Sequence, residues 1–65
     1  MINYNIIIWF NDGQKLELSV SHENLYSLQT SVAGMGKNGV WHMIDEKNRI
    51  YFPPYKIDRI EVTQI

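Results

Sequence analysis

Two alternating apolar runs on either side of one glycine turn constrain this chain more than any other feature. Ile2, Tyr4, Ile6, Ile8 and Phe10 are apolar at every second position, with Asn3 and Asn5 between the first of them. Leu16, Leu18 and Val20 alternate with Lys15, Glu17 and Ser19. A period of two sends neighbouring side chains to opposite faces of a strand, so both runs predict strands with one face in a core. Asn11-Asp12-Gly13 separates them, and register selects the form of the turn. A two-residue Asp-Gly loop would set Phe10 opposite Lys15 and Ile8 opposite Glu17, bringing charge onto the apolar face. A three-residue loop, with a type I turn at Asn11 and Asp12 and a left-handed Gly13, sets Phe10 opposite Gln14, Ile8 opposite Leu16, Ile6 opposite Leu18 and Tyr4 opposite Val20. The longer loop is therefore expected.

The period then changes. Ser21 offers a hydroxyl to the free amides of Glu23 or Asn24 and is the expected helix N-cap, with Glu23 at the positive helix end. Leu25, Leu28 and Val32 follow at helical spacing, flanked by Tyr26 and Gln29, and Gly34 is the expected stop. A glycine-rich connector, residues 34–39, leads to a strand from Val40 to Ile44. The turn Asp45-Glu46-Lys47-Asn48 leads to a strand from Arg49 to Phe52. Pro53-Pro54 cannot continue a paired strand, because neither proline carries an amide hydrogen. A last strand, about Arg59 to Gln64, sets Ile60 and Val62 on one face and Glu61 and Thr63 on the other. The order strand, strand, helix, strand, strand, strand predicts one α+β domain over residues 1–65, a small antiparallel sheet with a single helix packed on one face.

One helix covers one face of a sheet, and the patterning has apolar residues on both. Ile7 and Trp9 share the face of Asn3 and Asn5. In the later hairpin Val40, Ile44, Ile50 and Phe52 fall on one side and Trp41, Met43 and Tyr51 on the other. Strands apolar on both faces are strands buried on both faces. Length sharpens the point, since 65 residues bury only about 60% of the surface of the unfolded chain. There is no cysteine for a disulfide or a thiolate metal site, which leaves close packing or self-association to stabilise the fold. A homodimer or higher oligomer is expected, with Ile7, Trp9, Trp41, Met43 and Tyr51 as candidate contact residues for a second copy or for a larger protein.

Chemistry leaves fainter marks. Gly34-x-Gly36-x-x-Gly39 matches the dinucleotide-binding spacing in letters, but that loop must follow a strand and open a helix so that helix amides meet the pyrophosphate. Here the order is reversed, and a helix stop explains the glycines. His22 and His42 are the only histidines, too few without cysteine for an ordinary zinc site. His22 is expected exposed in the first helical turn, and His42 half-buried in a strand between Trp41 and Met43. The serines show no nucleophile elbow, and no catalytic residue, cofactor or metal is assigned. A formal charge of −1 argues against a general polyanion binder, although the charge is uneven. Residues 1–36 hold Lys15 against Asp12, Glu17 and Glu23, whereas residues 37–59 hold five cations against three anions. Arg49, Tyr55 and Lys56, beside Trp41 and Tyr51, are the alternative ligand-binding set, because aromatics next to cations can stack a base. The longest apolar run, Ile6 to Phe10, falls far short of the ~20 residues of a membrane span, and the basic, apolar, small-residue order of a signal peptide is missing. A cytoplasmic protein is expected.

The whole layout resembles that of small proteins of phages and low-GC Gram-positive bacteria. These open with a strand, an Asn/Asp-Gly turn and a second strand, then run through a short helix, a tryptophan-bearing hairpin and a last strand after a proline turn. The corresponding parts here are Ile2 to Phe10, Asn11-Asp12-Gly13, Leu16 to Val20, Trp41 with Arg49 to Phe52, and Pro53-Pro54-Tyr55 to Val62. Some proteins of this look are phage inhibitors of bacterial immune systems, such as the Hachiman anti-defence protein. The resemblance is architectural and assigns no residue a role. It implies a non-enzymatic, homodimeric inhibitor or regulator of a larger bacterial protein, acting in the host cytoplasm.

Overall fold

The computed structural model describes all residues, 1–65, and builds the expected α+β fold. Its elements are β1 (Ile2–Phe10), β2 (Lys15–His22), α1 (Leu25–Asn38), β3 (Val40–Met43), β4 (Arg49–Phe52), a 3-10 turn (Pro54–Lys56) and β5 (Ile57–Gln64). β1 lies at the centre of a three-stranded antiparallel sheet of order β2-β1-β5. β3 and β4 form a separate two-stranded hairpin, so the five strands make two sheets where one was expected.

The β1–β2 register is the one that the alternation demands, with Ile8 opposite Leu16, Ile6 opposite Leu18 and Tyr4 opposite Val20. The amide of Phe10 donates to the Gln14 carbonyl at 2.9 Å, and the Gly13 amide donates back to Phe10 at 3.0 Å. Gly13 has φ 90°, a conformation that a side chain disfavours and glycine does not. The other edge of β1 pairs Ile8 with Ile60 and Ile6 with Val62, and a bulge follows at Trp9 and Phe10. The last strand begins at Ile57, two residues before its expected start.

The helix runs from Leu25 to Asn38, displaced at both ends from the span expected between Ser21 and Gly34. At its start, Ser21 and His22 stay in β2, where His22 pairs with Ile2 and the Ser21 hydroxyl donates to Asn3 Oδ1 at 2.6 Å. Asn24 is the N-cap instead, its Oδ1 accepting from the Ser27 amide at 2.8 Å. At the far end, Gly34 and Gly36 are helical. Each costs about 1 kcal/mol relative to alanine, but the extra turn lays Met35 on the core as the third member of the Leu28, Val32, Met35 stripe. Gly39 closes the helix, its amide donating to Met35 at 2.9 Å. Its φ of 88° and ψ of −175° lie in a region open essentially to glycine alone.

Six residues are buried: Tyr4, Ile6, Ile8, Phe10, Leu28 and Val40. Four of them come from β1, whose apolar face packs under α1 and against Leu16, Leu18 and Val20 on one flank and Ile57 and Ile60 on the other. The chain exposes 4799 Å², whereas a folded monomer of this mass exposes about 4,300 Å². The core is thin, and apolar surface is left uncovered.

A Cβ at Gly39 would sit 2.5 Å from the Phe52 carbonyl and 2.7 Å from the Tyr51 hydroxyl. Gly39→Ala should therefore lower the unfolding free energy by about 2–4 kcal/mol, combining backbone strain with the clash. At Gly36 nothing lies within 4 Å of such a Cβ, so Gly36→Ala should raise stability by about 0.5–1 kcal/mol. Urea denaturation of the two variants checks both signs.

Candidate interaction surface

The β3–β4 hairpin projects from the body of the fold with one side anchored and the other bare. Its register sets Val40 opposite Phe52, Trp41 opposite Tyr51, His42 opposite Ile50 and Met43 opposite Arg49. By strand alternation Val40 and Phe52 share the inner face, and both join the core. The Phe52 ring stacks on Phe10 with centroids 4.3 Å apart, and the Tyr51 hydroxyl donates to the Asn38 carbonyl at 2.7 Å. These contacts fix the base of the hairpin to the end of β1 and the end of α1.

The outer face carries Trp41, Met43, Arg49 and Tyr51. The Trp41 and Tyr51 rings pack together with centroids 4.9 Å apart, yet Trp41 is 67% exposed and Met43 57%. Ile44 and Ile50 are exposed as well, although their pattern matched the buried Val40 and half-buried Phe52. The reason is geometric: these two residues lie toward the tip, beyond the reach of β1 and α1, and alternation along a strand does not say where its neighbour ends. The tip itself is ordered. Asp45 accepts from the amides of Lys47 at 2.8 Å and Asn48 at 2.9 Å, and Asn48 Nδ2 also donates to its carboxylate.

Ile7 and Trp9 lie on the sheet face away from the helix, and both are half-buried. Their neighbours across the strands are charged. Glu17 and Glu61 flank Ile7, while Lys15 and Arg59 flank Trp9. Lys15 Nζ sits 5.4 Å and the Arg59 guanidinium 4.8 Å from the Trp9 ring centroid. Lys15 pairs with Glu17 at 3.4 Å, and Arg59 pairs with Glu61 at 2.9 Å and Asp58 at 3.1 Å. Long charged stems thus shield the stripe of Ile7 and Trp9, and Trp9 Nε1 is buried with no hydrogen-bond partner.

The alternative ligand-binding residues separate. Arg49 stands on the outer face of the hairpin, whereas Tyr55 and Lys56 belong to the 3-10 turn held against the β1–β2 turn, the Asn11 amide donating to the Lys56 carbonyl at 2.9 Å and Asn11 Nδ2 to the Tyr55 carbonyl at 2.7 Å. Lys56 lines a cleft of about 250 Å³ with Phe10, Asn11, Asp12, Gln14 and Phe52. His22 is half-buried at the end of β2, its Nδ1 3.2 Å from the Ser27 hydroxyl, not in a helical turn. His42 is half-buried in β3. No three histidine, aspartate or glutamate side chains are grouped to hold a metal ion, and no helix is long and apolar enough to cross a membrane.

A larger concavity went unmarked by the sequence. An apolar groove of about 580 Å³ runs between α1 and β5, lined chiefly by Tyr4, Leu25, Leu28, Val32, Ile60 and Val62. It opens because one helix is too narrow to roof three strands. No family model, curated protein or solved structure matches the chain.

Two measurements probe this surface. The hydrogen bond from the Asn48 side chain, helped by the amides of Lys47 and Asn48, holds the Asp45 carboxyl below its ordinary value. A depressed folded-state pKa contributes stability above the unfolded value and loses it as pH falls through the folded one. The Lys47 and Asn48 amide resonances should therefore shift on acidification with a midpoint below the ordinary aspartate value, as followed by an NMR pH titration. For Trp9, replacement by phenylalanine keeps a ring under the two cations and removes the orphan donor. Trp9→Phe should change stability by less than about 1 kcal/mol and Trp9→Ala should cost about 2–3 kcal/mol, as measured by urea unfolding.

Proposed function

We propose that this chain is a non-enzymatic protein-binding module that inhibits or regulates a larger protein by seating its β3–β4 hairpin against it. The observation that carries the reading is the bare outer face, where Trp41 is 67% exposed beside Met43 and Tyr51, with Ile44 and Ile50 exposed toward the tip. Aromatic side chains and arginine dominate interface hot spots because they bury much area at small cost in rotamer freedom. The hairpin offers such residues on a prepared frame. Its base is fixed by the Phe10–Phe52 stack and the Tyr51–Asn38 hydrogen bond, and its tip by Asp45. Little ordering is left for the moment of binding, which is how a rigid element gains affinity. The resemblance to phage anti-defence inhibitors supplies the sharpest version, with a bacterial host protein as the target.

A second reading, nucleotide or single-stranded nucleic-acid binding, draws on Arg49 sharing the face of Trp41 and Tyr51. Its weakness is the scatter of the other cations. Arg59 is engaged with Asp58 and Glu61, Lys56 lines a separate cleft, and Lys47 belongs to the turn at the tip. A backbone-tracking groove needs its cations in a row.

The test uses the immobilised chain and lysate of a bacterial host. A retained protein should bind the Trp41→Ser, Met43→Ser double variant at least about tenfold more weakly, the loss of one hot spot, while far-UV circular dichroism is unchanged. Equal binding by the variant would remove the hairpin from the interface. In a Trp9→Phe background Trp41 is the only tryptophan, and its fluorescence should be indifferent to short RNA at low salt. Quenching there that fades with added salt favours the second reading.

A further inference from the structure

We infer that two copies of this chain join through the outer edge of β5, pairing antiparallel about a two-fold axis at Ile60 to form one six-stranded sheet. The proposal is independent of the hairpin's role, because β5 and the hairpin belong to different sheets.

Backbone geometry comes first. The Ile65 amide donates to the Asn3 carbonyl at 3.0 Å, and the register continues as Asn5 with Thr63, Ile7 with Glu61 and Trp9 with Arg59. In an antiparallel ladder the directly bonded pairs alternate, so Arg59, Glu61 and Thr63 turn their backbone groups toward β1. Ile60, Val62 and Gln64 turn theirs outward. β5 has no other strand neighbour, which makes this a free edge of the kind that recruits another strand.

Charge then selects both the occupant and the register. The exposed face of β5 carries Arg59 and Glu61, opposite in sign and two residues apart. Around a two-fold axis at Ile60, Ile60 bonds to its own copy, Arg59 stands opposite the second copy's Glu61, and Glu61 opposite its Arg59. Arg59 and Glu61 already pair within each chain at 2.9 Å, so this register joins the two intrachain pairs into one four-residue network of alternating sign. The network falls at the non-bonded positions of the ladder, where side chains come closest. An axis at Arg59 or at Glu61 sets like charges face to face. An axis at Val62 keeps only residues 60–64 paired and leaves Arg59 opposite Ile65. The edge is thus complementary to itself in one register. The β2 edge carries a similar alternation in Lys15 and Glu17, but β2 begins at Lys15, so an axis at Leu16 that opposes the two signs pairs only three residues of the strand. An axis at Glu17 opposes two carboxylates, and an axis at Ser19 forms no ion pair.

Uncovered surface points the same way. On the helix side, β5 borders the groove of about 580 Å³ whose walls include Leu25, Ile60 and Val62. Leu25 and Val62 are exposed in the single chain, and pairing at β5 brings the two grooves together across the axis. The chain exposes 4799 Å², about 500 Å² more than its mass predicts. That excess is of the order of the ~800 Å² that each partner contributes to a stable dimer.

Analytical ultracentrifugation at micromolar concentration tests the proposal. The native chain should sediment as a dimer. Glu61→Arg places like charges opposite each other at two symmetric positions and should raise the dissociation constant at least about tenfold. Adding Arg59→Glu restores opposite signs and should restore the dimer. Val62→Pro removes an outward amide without touching the bonds to β1 and should give a folded monomer by circular dichroism. A monomeric native chain overturns the proposal. So does a dimer that survives Glu61→Arg and Val62→Pro, and one that dissociates only when Trp41 and Met43 are replaced places the contact on the hairpin instead.

Discussion

Everything in this structure leans on the inward face of β1. Tyr4, Ile6, Ile8 and Phe10 are four of the six buried residues, and β1 is the only strand bonded on both sides. β2 and β5 are held in place by the ladder and by their own apolar residues, which continue the face of β1 outward. Leu28 seals the centre from above. Phe10, the last of the row, serves twice, because its ring is also the seat for Phe52 and so the anchor for the hairpin. A chain of 65 residues has one row of this quality and no disulfide to make up for a second.

That economy explains where the surface is unfinished. One helix lies over three strands, and its stripe of Leu28, Val32 and Met35 fills the middle but leaves a groove beside β5. The far face of the sheet meets the same shortage differently. There the stems of Lys15 and Arg59 lie over Trp9 and keep their charges in water, which leaves the apolar stripe half-buried. The hairpin has neither device. Its outer face is simply exposed, with Trp41, Met43 and Tyr51 open to solvent.

Much of this was legible in the residues. Alternation and the charge of Lys15 and Glu17 were enough to choose the three-residue turn and the register of β1 with β2. Pro53 and Pro54 marked the break before β5. The helix was legible as a helix but not in its limits. Ser21 and Asn24 are both good caps, and the choice was made by Ile2, whose pairing with His22 holds Ser21 in the strand. Gly34 is a good stop, but the helix runs through it because Met35 reaches the core one turn further on. The double-sided apolar pattern was also legible, though not its meaning at each site. Identical letters in the pattern became a covered Trp9 and an exposed Trp41, since cover depends on which stems and strands lie across from each.

The sequence by itself determined the fold class, the central hairpin and the presence of more apolar side chains than a single small core can use. Periodicity is local, and a local signal is enough for those. Only the tertiary structure decided that the strands divide into two sheets, that Gly39 and not Gly34 ends the helix, and that the uncovered apolar surface lies on the hairpin and beside β5. These outcomes depend on contacts between residues far apart in the chain, such as Phe10 with Phe52 and Gly39 with Tyr51, whose close approach no spacing along the sequence encodes.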